Sequence, residues 1–213
     1  MKNYVITIAR GFGSGGKEIG TKLAEQLGIP CYEKQILDMA SEYSGINKKL
    51  FAEVDEKLRG GYVINWLRKV PFSTIAEPNE KGFTSDLNLF NIQSEIIREL
   101  AKSQSCIIIG KCADYVLKDR DNVVSVYIEA PRADCVKSII NKLQVSEEKA
   151  HELIKKTDKY RADYYKYYTG GCSLTNPINY VLTLNSAKVG RDKCVEVIKD
   201  YLSIKFRDKI EKA

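Results

Sequence analysis

The apolar positions change period along the chain, and each change marks an element. Tyr4–Ala9 is a continuous β-rich run ending in a glycine cluster, the pattern of a buried strand. Lys17–Leu27 then repeats at helical spacing, with Ile19, Leu23, Ala24 and Leu27 on one face and Gly28 as its stop. Pro30–Tyr32 reads as a short extended piece, and Glu33 precedes a helix running to about Tyr43. Leu50, Val54 and Leu58 mark another amphipathic helix over roughly Asn47–Leu58. Gly60 and Gly61 break it, and Tyr62–Lys69 fits a short helix before Pro71. Phe72–Asp86, with Pro78, Gly82 and mixed polar residues, is the best candidate for a mobile loop.

Leu87–Ala101 carries a long helical stripe of Leu89, Ile92, Ile96, Ile97 and Leu100. Cys106–Ile109 is wholly apolar, as a strand covered on both faces must be, and Val123–Ala130 is the next strand. Arg132–Leu143 is a helix. Ser146 is a good cap for the one after it, with Glu147 and Glu148 in its first turn. Asn179–Asn185 reads as a final strand and Asp192–Phe206 as a closing helix. Strands alternating with helices predict an α/β fold with a parallel sheet covered on both faces. Two embellishments interrupt it: a helical insert at about 34–86 and a lid-like segment at about 146–176.

Composition narrows the chemistry. The 213 residues are 44% hydrophobic and 29% charged, enough for a single domain with a real core. A net charge of +6, spread along the chain, suits small anionic ligands better than a nucleic-acid track. The densest basic stretch, Lys155–Lys166, is interrupted by Asp158 and Asp163 and reads as a solvated helix face. The six cysteines show no CxxC spacing, and His151 is the only histidine, so neither a zinc site nor a nucleophilic triad is expected. The opening MKNYVITIARG runs straight into a strand with no signal-peptide h-region, and no apolar run reaches membrane-spanning length. The expectation is a cytoplasmic protein with no membrane or nucleic-acid partner.

The chemistry concentrates at Arg10-Gly11-Phe12-Gly13-Ser14-Gly15-Gly16-Lys17, which contains GxxxxGK between a strand and a helix. Gly11, Gly13, Ser14, Gly15 and Gly16 let consecutive backbone N–H groups turn toward a phosphate, and the helix directs its positive end at the same anion. Lys17 adds a full charge where phosphoryl oxygens gain negative charge during transfer. Gly11-Phe12-Gly13 and Gly16 also fit the dinucleotide GxGxxG. The lysine, and the lack of a clear acidic residue ending a second strand, favour the phosphate loop. Where such loops normally continue with Ser or Thr, this chain has Glu18. Its carboxylate is a candidate Mg²⁺ ligand, direct or through water, or a simple complement to the helix N-terminus.

With these residues in view, ITIARGFGSGGKEIGTKLAEQLGIPCYEKQIL resembles the opening of the bacterial cytidylate kinase-like family, including its Glu after the loop lysine. CIIIGKCADYVL resembles the family's third-strand segment, where Arg is commoner at Lys111. KKTDKYRADYYKYYTGG and NYVLTLNS resemble its lid and last strand. Only the region from about 45 to 100 has no matching feature. The resemblance implies a P-loop nucleoside-monophosphate-kinase fold, a five-stranded parallel sheet of order 2-3-1-4-5 with an acceptor-binding insert and a lid. It implies transfer of the ATP γ-phosphoryl, with Mg²⁺, to a nucleotide such as CMP. Glu33, Lys111 and Asp114 would then face the acceptor, and Arg161 would act as the lid arginine on the transferring phosphoryl. The tyrosines at 160, 164, 165, 167 and 168 read as an aromatic packing face. A nucleotide-binding regulatory module stays open beside the enzyme, because of Glu18, Lys111 and Ile109, the last standing where an acidic residue often ends the third strand. The oligomeric state is open too.

Overall fold

The computed structural model describes residues 3–51 and 85–210. The expected helix beyond Phe51, the short helix at Tyr62–Lys69 and nearly all of the loop at Phe72–Asp86 lie outside them. The chain runs β1 (Val5–Arg10), α1 (Gly16–Leu27), β2 (Cys31–Tyr32), α2 (Gln35–Ser44), α3 (Asp86–Ser103), β3 (Cys106–Ile109) and α4 (Ala113–Val116). It continues with β4 (Val123–Glu129), α5 (Arg132–Leu143), α6 (Glu147–Tyr168), β5 (Leu182–Asn185), α7 (Ser186–Val189) and α8 (Arg191–Ile210). The sheet is five-stranded and parallel, in the order β2-β3-β1-β4-β5, as expected.

Register makes it a three-layer fold. Val5 pairs with Cys106 and Val123, and Ile6 pairs with Ile107 and Val124, so residues of one parity share a face across the central strands. Ile6, Ile8, Ile107, Val124 and Val126 pack on Ile19 and Leu23 of α1 and on Cys194, Val195 and Ile198 of α8. Val5, Cys106, Ile108 and Val123 pack on Ile97, Leu100 and Ala101 of α3 and on Ala113 and Leu117. Each fully buried Ile or Leu contributes roughly 1.5–3 kcal/mol, which is why the central strands carry no polar alternation.

Local chemistry sets the boundaries. Gly28 takes the left-handed cap of α1, its N–H reaching the Ala24 and Glu25 carbonyls. Glu33 lies outside α2, with its N–H donated to Gln35 Oε1. Ser85 caps α3 by accepting from Asn88 N–H, and Ser146 caps α6 by accepting from Lys149 N–H. The last strand is shorter than expected, because Pro177–Asn179 forms a 3₁₀ turn capped by Asn176 and the chain extends only afterwards.

A third core cluster joins elements above the sheet. Leu37 and Ala40 of α2, Leu89, Phe90 and Ile92 of α3, and Tyr164, Tyr165 and Tyr168 of α6 pack together. Phe90 stacks on Tyr168 with ring centroids 4.0 Å apart. The tyrosine run is therefore a packing face, as its spacing predicts. All six cysteines are free thiols. Among the described residues no helix is long and apolar enough to cross a membrane.

Candidate active site

The turn from β1 to α1 lies at the carboxyl edge of the sheet, where ligands of open α/β folds collect. Gly13 and Gly15 have φ of 94° and 82°, left-handed values that glycine adopts without steric cost. A side chain on Gly11 would collide with the Glu129 carboxylate, so the loop also lies hard against the end of β4. Gly11 N–H donates to the Ile128 carbonyl at 3.1 Å, and the buried Ser14 hydroxyl returns to the Gly11 carbonyl at 2.9 Å. Ser186 Oγ holds the Ser14 carbonyl at 2.6 Å. Along the rest of the turn, the amides of residues 13–18 meet no acceptor among the described residues. Ile19 is the first with an intrahelical partner, the Gly15 carbonyl. A run of open N–H groups at the start of a 12-residue helix is an anion cradle, and it fits the phosphates of ATP.

The charged side chains converge on Glu33. Its Oε1 accepts from Arg10 Nη2 at 2.7 Å, and its Oε2 pairs with Lys17 Nζ at 2.6 Å. Burial pushes the Glu33 carboxyl up, but Lys17, Arg10 and the more distant Arg161 together hold it below the usual carboxylate range. Arg10 is itself lowered to about 10, first by burial and then by Arg161. Its guanidinium fills the space over Gly110, linking the phosphate loop to the turn after β3. That turn is unusual: Gly110, Lys111 and Cys112 have φ of 74°, 58° and 52° in succession. Two consecutive non-glycine residues in the left-handed region cost roughly 1–2 kcal/mol each, a strain that recurs where backbones are shaped for a ligand.

Asp114 does not join this group. It is 6% exposed, and its Oδ2 accepts the Tyr165 hydroxyl at 2.7 Å, tying the turn after β3 to α6. The Asp114 carboxylate thus braces the turn against α6 from the interior. Glu18 departs from expectation too. Oε1 pairs with Lys142 at 2.9 Å and Oε2 with Arg191, on the flank of the loop where Ser138 and Asn141 complete an open cleft. Both oxygens are engaged by cations, so Glu18 does not fit a preformed metal ligand. No cluster of three candidate metal ligands exists among the described residues. Mg²⁺ characteristically keeps several waters and uses substrate phosphates with one or two carboxylates, so it requires no protein cage.

Arg161 sits at the loop: Nη1 donates to the Arg10 carbonyl at 3.0 Å, and its guanidinium lies 5.6 Å from the centre of the Phe12 ring. One turn earlier on α6, Asp158 Oδ1 accepts the Phe12 N–H at 2.7 Å. Asp158, Arg10, Glu129 and Ser186 are the site residues that spacing did not reveal. The available signals were an arginine closing an apolar strand and an Asp three residues before Arg161.

The phosphate loop matches in kind what the chain matches in sequence: residues 5–188 fit the cytidylate kinase-like family. The chain belongs to that family. Among solved structures it is similar to an uncharacterised protein from Eubacterium ventriosum, at 25% identity over 94% of this chain and 99% of that one, with a TM-score of 0.68. It also shares its fold with a shikimate kinase from Bacteroides thetaiotaomicron, at 12% identity over 94% and 98% of the two chains and a TM-score of 0.52. No curated protein matches. Family membership and fold support a P-loop kinase-type phosphotransferase.

Proposed function

We propose that this member of the cytidylate kinase-like family transfers the γ-phosphoryl of ATP to a nucleoside monophosphate, CMP or dCMP foremost. The observation that carries the reading is the loop of open amides at 13–18 with Lys17 beside it, held against Glu33 and Arg10. The amides and Lys17 would take the donor phosphates, with Mg²⁺ arriving on the nucleotide. Lys111, on the strained turn that Arg10 touches, would meet the acceptor phosphate as a point charge. Glu33 would accept from acceptor hydroxyl or amino groups once Lys17 turns to phosphate. Arg161 would neutralise the transferring phosphoryl. The insert at about 34–86 would serve acceptor binding, and the segment at about 146–176 would act as the lid, in a cytoplasmic enzyme.

A second reading, a kinase for another small phosphorylated or hydroxylated acceptor, is favoured by one observation. Asp114 is committed to Tyr165, which removes one of the three contacts expected for a nucleotide acceptor. ADP release measured with ATP, Mg²⁺ and a panel of CMP, dCMP, AMP, GMP, UMP and TMP separates the two. The highest kcat/KM with CMP or dCMP is expected. ATP binding with no turnover on any of the six refutes the monophosphate reading.

A further inference from the structure

Two groups of the phosphate loop that suit an anion already hold one, and in each case it is a side chain of the protein. Lys17 Nζ holds Glu33, and Phe12 N–H holds Asp158. The second contact is the more informative, because Asp158 comes from α6, far along the chain. Phe12 stands immediately before the run of open amides at residues 13–18. Three residues along the same helix, Arg161 donates to the Arg10 carbonyl, so α6 grips the loop at two points two residues apart. One grip is carboxylate to amide and the other guanidinium to carbonyl. Spacing by three places both side chains on one face of the helix.

We infer that Asp158 is a latch: its carboxylate stands in for a phosphate at the mouth of the loop until the donor's phosphates take its place. The inference rests on the donor reading proposed above and adds a residue to it. Charge is the reason for exchange. A polyphosphate settling on the amides of residues 13–18 brings several negative charges beside a carboxylate already bonded to the neighbouring amide, and like charges at that range repel strongly. Glu129, at the end of β4, is a further carboxylate near Asp158, whereas Arg132 at 3.6 Å and Arg161 attract it. Asp158 is partly exposed, so it has a path to water when it leaves. Arg161 stays beside the loop on the packed helix, where its guanidinium can meet the phosphoryl group.

The test is calorimetric binding of a non-hydrolysable ATP analogue with Mg²⁺ to the wild type, Asp158→Asn, Asp158→Ala and Lys17→Ala. Asn keeps an acceptor oxygen for Phe12 N–H and removes the charge; Ala removes both. The latch predicts that Asp158→Asn and Asp158→Ala both bind the analogue tighter than wild type, by about tenfold, equivalent to about 1.4 kcal/mol. KM for ATP should fall with Kd while kcat does not rise, since the chemical step gains nothing from a lost latch. If Asp158 only shapes the loop, Asp158→Ala binds more weakly and Asp158→Asn binds like wild type, and the latch is refuted. Equal affinity in all three refutes it too. If the wild type itself shows no binding that Lys17→Ala abolishes, the donor reading falls and the latch falls with it. Melting temperatures measured alongside check that each variant is folded, and the isosteric Asn variant decides alone if Ala unfolds.

Discussion

Replacing Asp114 with Asn should make the protein more stable above neutral pH, although it changes the acceptor of a buried hydrogen bond. Burial pushes the Asp114 carboxyl up to about 6, against the opposing pull of the Tyr165 hydroxyl and of the N–H groups of Asp114 and Tyr115. The rise from 3.8 is about two pH units, or about 3 kcal/mol at about 1.4 kcal/mol each. The sign follows from the direction. Because the folded value lies above the unfolded one, the stabilising contribution is complete below about pH 4 and is lost as pH rises through about 6. Above that the folded protein carries a buried charge that the unfolded chain would hold in water. Asn avoids this cost and keeps the bonds. Its carbonyl can face the two backbone N–H groups while its NH₂ meets Tyr165, whose hydroxyl has Tyr180 within hydrogen-bonding reach. Urea unfolding of wild type and Asp114→Asn from pH 4 to 8 should show near-equal stability at pH 4 and a gap opening to as much as about 3 kcal/mol in the variant's favour at pH 8. A variant less stable at pH 8, or a gap that does not change with pH, would refute the reasoning. The acceptor KM should not move, since the carboxylate faces Tyr165.

Lys17→Ala should lower kcat/KM for ATP by roughly 10²–10³, the scale of losing one preorganised charge at the transferring group. Its melting temperature should stay close to wild type, because the Lys17 side chain is 57% exposed. Glu18→Gln should leave the magnesium concentration for half-maximal rate unchanged and shift stability by less than about 1 kcal/mol, since both of its ion pairs are solvent-exposed; a raised magnesium requirement would return it to the metal. Arg161→Ala should cost about 10³ in kcat, with ATP affinity by calorimetry nearly preserved, and a collapse of affinity with kcat intact would make it a binding residue instead.

Much of the fold was legible because the sheet is parallel and central. Cys106–Ile109 could be read to the residue, since a strand buried on both faces must be wholly apolar and its limits coincide with the polar residues beside it. The last strand was overextended because Asn179–Val181 has β-like composition, and only the cap of Asn176 on the Pro177 turn shows where the chain bends. In the site, the phosphate loop was legible because glycine spacing is a backbone requirement and survives in one dimension. The partners of Asp114 and Glu18 were not legible, for the opposite reason. What a carboxylate does depends on which partner reaches it, and Tyr165, Lys142 and Arg191 lie 51, 124 and 173 positions away. Asp158 was hidden by its own neighbourhood, a charged helix face in which one acid among many lysines carries no signal.

Glu33 is the point at which the two halves of the proposed reaction meet. It is held below the ordinary carboxylate range and so is ionised throughout the neutral range, a fixed anion set between Arg10 and Lys17. Donor phosphates would draw on Lys17, and a move of that ammonium toward them would release one Glu33 oxygen while Arg10 keeps the other. Arg10 also reaches Gly110, which begins the strained turn carrying Lys111. A carboxylate that is occupied before the donor binds and available afterwards would recognise an acceptor only when there is a phosphoryl group to give it. The same exchange that turns Lys17 to its phosphate would thus build the acceptor side, which couples the two substrates through one carboxylate without any large movement of the sheet.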